Sequence, residues 1–138
     1  MSRILAIDYG EKRIGIALSD ETKKIALPKE HILNKEKVAI LRLIAENEVD
    51  EILIGLPKNL AGQETTAAGQ VRRFASWLKK SVKLPIHFID ERFTTREAAA
   101  KLRGEHRLRG PKLRAAVDSM SAQILLQAYL QKAEKLND

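Results

Sequence analysis

A chain of 138 residues has room for one domain around a single core, and 44% hydrophobic with 31% charged residues excludes a disordered chain. The formal net charge of +7 favours an acidic partner, nucleic acid foremost, and the absence of cysteine excludes disulfides, thiolate metal sites and cysteine nucleophiles, so any metal must sit on oxygen or imidazole. No apolar run reaches the ~18 residues of a membrane span or forms a secretory signal core, which leads us to expect a cytoplasmic protein without membrane contact.

Four consecutive apolar residues, Ile4 to Ile7, predict a strand buried on both faces, and the run ends on Asp8. Gly10-Glu11-Lys12 supplies a turn, and Ile14, Ile16 and Leu18 alternate with Gly15, Ala17 and Ser19 as a returning second strand whose small residues leave room over one face. Asp8 by itself fits a turn. With Lys12 and Arg13 in the same hairpin it also fits an anionic substrate held on a metal. Ile25 to Leu27 predicts a short third strand, with Pro28 marking its end or an edge position. From Lys35 the period becomes helical, with Asn34 placed to cap and Val38, Leu41, Ile44 and Ala45 on one face.

Asp50-Glu51 opens a strand, Ile52 to Ile54, that stops at Gly55-Leu56-Pro57, and the strand, helix, strand order implies parallel pairing through a right-handed crossover. Lys58 and Asn59 follow in a polar loop at the carboxyl edge, where they either touch phosphate or make turns. A helix over 65–80 buries Ala67, Val71, Phe74 and Leu78, with Trp77 packing beside that stripe. The next strand, Ile86 to Ile89, also ends on acid, Asp90-Glu91-Arg92; alternation sends the two carboxylates to opposite faces, so one of them can point with Asp8.

Thr94 and Glu97 fit a capping box for a helix that gives way near Gly104. Lys101, Arg103, Arg107, Arg109, Lys112 and Arg114 then stand against Glu105 alone, a concentration of charge that favours phosphate contact over mere solvation. The last helix is expected over 112–133, burying Leu113, Val117, Met120, Ile124 and Ala128. Within it Asp118 has Ala115 and Ala122 as small neighbours, which let a helix approach a sheet and aim a carboxylate at its edge. Three carboxylates from a first strand, a later strand and a last helix suit hard divalent cations, and two such ions roughly 4 Å apart support in-line phosphodiester hydrolysis. The whole of 1–138 reads as one domain.

Four segments taken in order resemble the YqgF family, also called RuvX, of the RNase H-like superfamily: Asp8 to Asp20, Gly55-Leu56-Pro57 with Gly62, Asp90 to Thr95, and Asp118 to Leu126. The resemblance implies an α/β fold with a mixed five-stranded sheet, its first three strands antiparallel, flanked by helices. It implies a bacterial nuclease for 5′-end maturation of 16S ribosomal RNA, related to RuvC-type Holliday junction resolvases. Carried over by position, Asp8, Glu91 and Asp118 would hold Mg²⁺ or Mn²⁺ and carry catalysis, while Lys12, Arg13, Lys58 and Arg92 would contact phosphate. RuvC-type enzymes carry their second acid on the fourth strand, which here ends in Gly55-Leu56-Pro57, so Asp90 stays open as the alternative ligand. Ser121 stands where the family commonly has alanine.

The expected reading is a nuclease for structured precursor ribosomal RNA, acting alone or on ribosomal particles, as monomer or dimer. Two alternatives remain: a DNA junction resolvase, which must be dimeric to cut symmetrically, and a non-catalytic RNA-binding assembly factor. An actin-like nucleotide-binding domain shares the Asp-x-Gly hairpin, but that fold needs two such domains.

Overall fold

Ile4 to Ile7 are all buried, as an apolar run at the centre of a sheet must be. They form β1 (Arg3–Asp8) in a computed structural model that describes residues 2–91 and 120–137. β2 (Arg13–Ser19), β3 (Ala26–Leu33), α1 (Ala39–Glu46), β4 (Val49–Leu56), α2 (Thr66–Ser81), β5 (Ile86–Asp90) and α3 (Met120–Asn137) follow. The sheet order is β3-β2-β1-β4-β5. β1 pairs antiparallel with β2, β2 antiparallel with β3, and β1, β4 and β5 run parallel, which is the mixed five-stranded sheet expected. Parallel pairing sets the carboxyl ends of β1, β4 and β5 along one edge.

Alternation divides the sheet into two unlike faces. On one, Leu5, Ile7, Ile16, Ile52 and Ile54 meet Ile40 and Ile44 of α1 and Val71, Phe74 and Leu78 of α2. On the other, Ala6, Ala17 and Ala26 lie under α3, which contributes Ala122, Leu126 and Leu130. Ala6, Ala17 and Ala26, with Ile4 and Leu53 beside them, form the sheet surface on which Ala122 of α3 rests. Buried Gln123 and Gln127 then fasten the helix: the Gln127 Oε1 accepts from the Ala26 amide at 3.0 Å, and the Gln123 Nε2 donates to the Ala26 carbonyl at 3.1 Å. Both groups of one edge-strand residue are thereby satisfied, and breaking either bond would leave a buried polar atom unpaired, at about 1–3 kcal/mol.

Several expectations change. The third strand does not end at Pro28 but runs on to Leu33, while the edge position expected for Pro28 holds: it pairs with Ala17 on the edge strand β3, where a missing amide donor is tolerated. Asn34 starts a short 3₁₀ turn (Asn34–Glu36) and caps no helix, because its side-chain amide donates to the Gly10 carbonyl at 2.8 Å and braces the β1–β2 turn. The later start rotates α1 so that Ile40 and Ile44 are buried, leaving Val38 65% exposed and Ala45 exposed. In α2 the buried alanines are Ala68 and Ala75, not Ala67. In α3 the buried stripe is Ala122, Leu125, Leu126 and Leu130 with the two glutamines, so Met120 is exposed and Ile124 and Ala128 are half-buried. A hydrophobic count cannot find that face, because two of its members are polar. The expected capping box, the helix after it, Leu113 and Val117 lie outside the described residues.

Candidate active site

Asp8 follows Ile4 and Ala6 in the alternation of β1 and so leaves the strand on the α3 side, directly opposite Gly15 of β2. Gly10 closes the turn after it: a Cβ there would collide with the Arg13 carbonyl oxygen. On β5, Phe88 and Asp90 pair with Ile54 and Leu56 and share their face, toward α1 and α2. Ile89 packs on the α3 side, and Glu91 emerges with it. Of the two acids, the structure therefore brings Glu91 to Asp8. Asp90 is turned away, its carboxylate 7% exposed and 4.0 Å from the Lys58 ammonium.

β1 and β5 are not neighbours. With β4 between them, their axes lie two strand spacings apart, roughly 10 Å. Gly55 opens the way across. A Cβ on Gly55 would stand 2.8 Å from Glu91 Oε1 and 2.7 Å from Leu125 Cδ1, so its absence lets the Glu91 side chain lie over β4 and lets α3 close down beside it. Glu91 ends in a hydrogen bond to Asp8. The two carboxylates line a cleft of about 210 Å³ with Ser121, Ile124 and Leu125.

Such proximity has an electrostatic consequence. The Glu91 carboxyl is pushed up to about 7, first by burial, then by the hydrogen bond and the charge of Asp8, with a further push from Asp90. Near pH 7 roughly half of the Glu91 carboxyls thus hold a proton, which the protonated form shares with Asp8. A proton shared by two carboxylates occupies the place where a cation would balance both charges. Among the described residues no three His, Cys, Asp or Glu side chains form a metal-binding group. Asp8 and Glu91 supply two hard oxygen donors, which fit Mg²⁺ or Mn²⁺ chemistry. The third expected acid, Asp118, lies outside the described residues, as do Arg92, Arg107, Arg109, Lys112 and Arg114.

The remaining expected contacts divide. Lys12 and Arg13 are exposed on the hairpin, and Arg13 leaves β2 on the same side as Asp8. Lys58 is engaged with Asp90. Asn59 organises its own loop: its Oδ1 accepts from the Ala61 and Gln63 amides at 3.0 and 2.9 Å, and Gly62 takes φ 82° within the turn. The turn-forming reading holds for Asn59. Sequence reasoning did not single out the roles of Gly55, Gln123 and Gln127. For Gly55 a signal existed, a glycine closing a buried strand that neighbours two acid-tipped ones; for the glutamines there was none.

Comparison with known proteins bears on this site. The family model described as RuvX, Holliday junction resolvase, matches residues 2–132. A relative from Koribacter versatilis, described as a candidate pre-16S rRNA nuclease, is 42% identical over 134 residues, covering 94% of this chain and 87% of its own. Another of the same description, from Maridesulfovibrio salexigens, is 37% identical over 135 residues, covering 95% and 99%. Among solved structures, Thermus thermophilus RuvC in complex with a Holliday junction superposes with a TM-score of 0.65 at 11% identity, covering 98% of this chain and 96% of that one. At that identity the likeness is one of fold.

Proposed function

Because the chain belongs to the RuvX family, we propose that it is a metal-dependent nuclease that hydrolyses phosphodiester bonds during 5′-end maturation of precursor 16S ribosomal RNA. The observation that carries this reading is the Asp8–Glu91 pair, two hydrogen-bonded carboxylates in a cleft at the carboxyl edge of the sheet. Asp8, Glu91 and Asp118 would hold Mg²⁺ or Mn²⁺, which when bound supplies an activated water and stabilisation of the leaving oxygen. Asp8 is the fixed member, carried on a central strand. Glu91 is the adjustable one, reaching across Gly55 and releasing its proton on loading. Arg13, on the same side of the hairpin, would steer the phosphate toward them, and Lys58 at the same edge would hold the Asp90 charge in place. The basic stretch with Arg107, Arg109, Lys112 and Arg114 would add phosphate contacts that set affinity and salt dependence.

A second reading, cleavage of four-way DNA junctions, is favoured by the description of the family model and by the likeness to RuvC. The test is side-by-side cleavage, with Mg²⁺ or Mn²⁺, of a precursor 16S 5′ end and a four-way junction by wild type and Asp8→Asn. We expect wild type to cut the RNA and Asp8→Asn to lose at least about three orders of magnitude in rate, the scale on which removed electrostatic stabilisation is felt. Symmetric junction cutting without RNA cleavage would establish the resolvase instead. Full activity in a folded Asp8→Asn chain would remove the carboxylates from catalysis.

A further inference from the structure

Behind the hairpin, on the α1–α2 side of the sheet, lies a second and larger hollow. It has a volume of about 380 Å³ and is lined by Tyr9, Glu11, Lys37, Gln70, Arg73 and Phe74. Tyr9 gives it one half-buried aromatic ring, backed at 4.8 Å, centroid to centroid, by the buried Phe74, which in turn lies 5.7 Å from Trp77 outside the lining. Lys37 lies over the Trp77 ring at 4.7 Å, its ammonium held at the rim by a π face. Neither Lys37 nor Arg73 makes an ion pair among the described residues. The one carboxylate among its described lining residues, Glu11, is fixed on the hairpin side, where its Oε1 accepts from the Gln70 Nε2 at 3.0 Å.

The position of this hollow matters as much as its lining. Tyr9 is the residue after Asp8, so the two clefts meet at the end of β1, one on each face of the sheet. A strand whose scissile phosphate lies over Asp8 and Glu91 can continue across the hairpin into the second hollow. Two cations with no ion pair among the described residues, beside the Tyr9 ring, match a single-stranded nucleotide, phosphate on charge and base or sugar on ring. Glu11 gives the site a direction. A carboxylate repels phosphate and accepts from hydroxyl, so the phosphate belongs on the Lys37–Arg73 side and the sugar on the Glu11 side, where a 2′-hydroxyl would be its donor.

We propose that this hollow, formed by Tyr9, Lys37 and Arg73 with Glu11 held by Gln70, is a subsite for a single-stranded RNA nucleotide flanking the cleaved bond. It rests on the nucleic-acid reading of the Asp8–Glu91 cleft, but it concerns binding and needs no cleavage. The test is fluorescence anisotropy with a labelled single-stranded RNA and a DNA of the same sequence, across a salt series without added divalent cation. The proteins compared are wild type, the double variant Lys37→Gln/Arg73→Gln and Glu11→Ala.

The double variant should bind RNA about tenfold more weakly, with the salt slope shallower by about 0.7, the value for one lost single-strand phosphate contact. Lys37→Arg/Arg73→Lys, which keeps both charges, should restore most of the affinity and the slope. Wild type should prefer RNA to DNA, and Glu11→Ala should narrow that preference several-fold. A folded double variant with wild-type affinity and slope overturns the subsite, and so does a Glu11→Ala protein that keeps the full RNA preference. Failure of the nuclease reading would show elsewhere, as undiminished cleavage by Asp8→Asn.

Discussion

The two faces of this sheet are built to different ends. Toward α1 and α2 it presents Leu5, Ile7, Ile16 and Ile54, and these interlock with Ile44, Val71 and Phe74 in a thick apolar layer. Toward α3 it presents Ala6, Ala17, Ala26 and Gly55 along with Ile4 and Leu53, a lower surface on which a helix is fastened by two glutamines. Large side chains remove apolar area from water, at about 25 cal/mol per Å², and so supply stability. Small ones remove less but fix distance. Asp8 and Glu91 both open on the small-residue side, where a fraction of an ångström decides whether two carboxylates can share one cation.

Ile54 and Gly55 test that division, because they are neighbours in β4 that face opposite ways. Of the two, Gly55→Ala should have the larger effect on function. Its Cβ must displace Glu91 Oε1, at 2.8 Å, or Leu125, at 2.7 Å, and a misplacement of that size costs about 100-fold in rate. Its stability should change by about 1–3 kcal/mol, the usual cost of overpacking. Ile54→Ala should do the reverse, losing about 2–5 kcal/mol in denaturant unfolding while the folded fraction keeps near wild-type cleavage. If Gly55→Ala keeps its rate, or Ile54→Ala loses rate beyond its unfolded fraction, the division is wrong.

The fastening of α3 offers a smaller effect of a third kind. Gln127→Leu keeps the volume but leaves the Ala26 amide without its acceptor at 3.0 Å and the Lys24 carbonyl without its donor at 3.2 Å. We expect about 1–3 kcal/mol of destabilisation, with amide hydrogen exchange faster at Ala26 than in β1. Equal exchange at both strands would mean that the glutamines are not what holds the helix.

These same residues show where sequence reasoning reaches and where it stops. The first hairpin and the parallel crossover to β4 were legible because buried runs such as Ile4 to Ile7 and the helical period between Val38 and Ala45 leave few topologies open, whereas the mixed five-stranded sheet was legible only through the family resemblance. Asp8 was legible because a carboxylate at the end of a buried run is chemically conspicuous. The choice between Asp90 and Glu91 was legible as a choice alone, since alternation says that they diverge but not which faces α3. Settling it took the register of Leu56 against Asp90. The buried face of α3 was misread because Gln123 and Gln127 are polar, and burial there is compensated by backbone groups a hundred residues away in sequence. Asn34 was misread for a similar reason: its partner is Gly10 across the hairpin, not the helix it precedes.

If the proposed metal binds, protons and metal compete for the α3 face, and the thick face should not feel that competition. In the folded protein the Glu91 carboxyl lies at about 7 against an ordinary 4.5, so folding favours its protonated form. Its contribution to stability is therefore fully present at pH below the ordinary value and is lost as pH rises through about 7. Asp20 works in the opposite direction. Burial would raise its pKa, but its bonds to the Thr22 side chain and to the Ile25 and Lys24 amides outweigh that and hold it below the usual carboxylate range, so its contribution is lost only as pH falls below that range. Between pH 5 and 7.5, with chelator present, the melting temperature should thus fall by a few degrees. Glu91→Gln should flatten that fall, whereas Ile54→Ala should shift the whole curve downward and leave its slope intact. On the proposed metal-dependent reading Mg²⁺ would take the place of the shared proton, so added Mg²⁺ should raise the melting temperature more at pH 7.5 than at pH 5.5. An equal rise at both values, or an unchanged slope in Glu91→Gln, would mean that the two carboxylates do not share a cation site, and the pairing across Gly55 would then be a matter of packing alone.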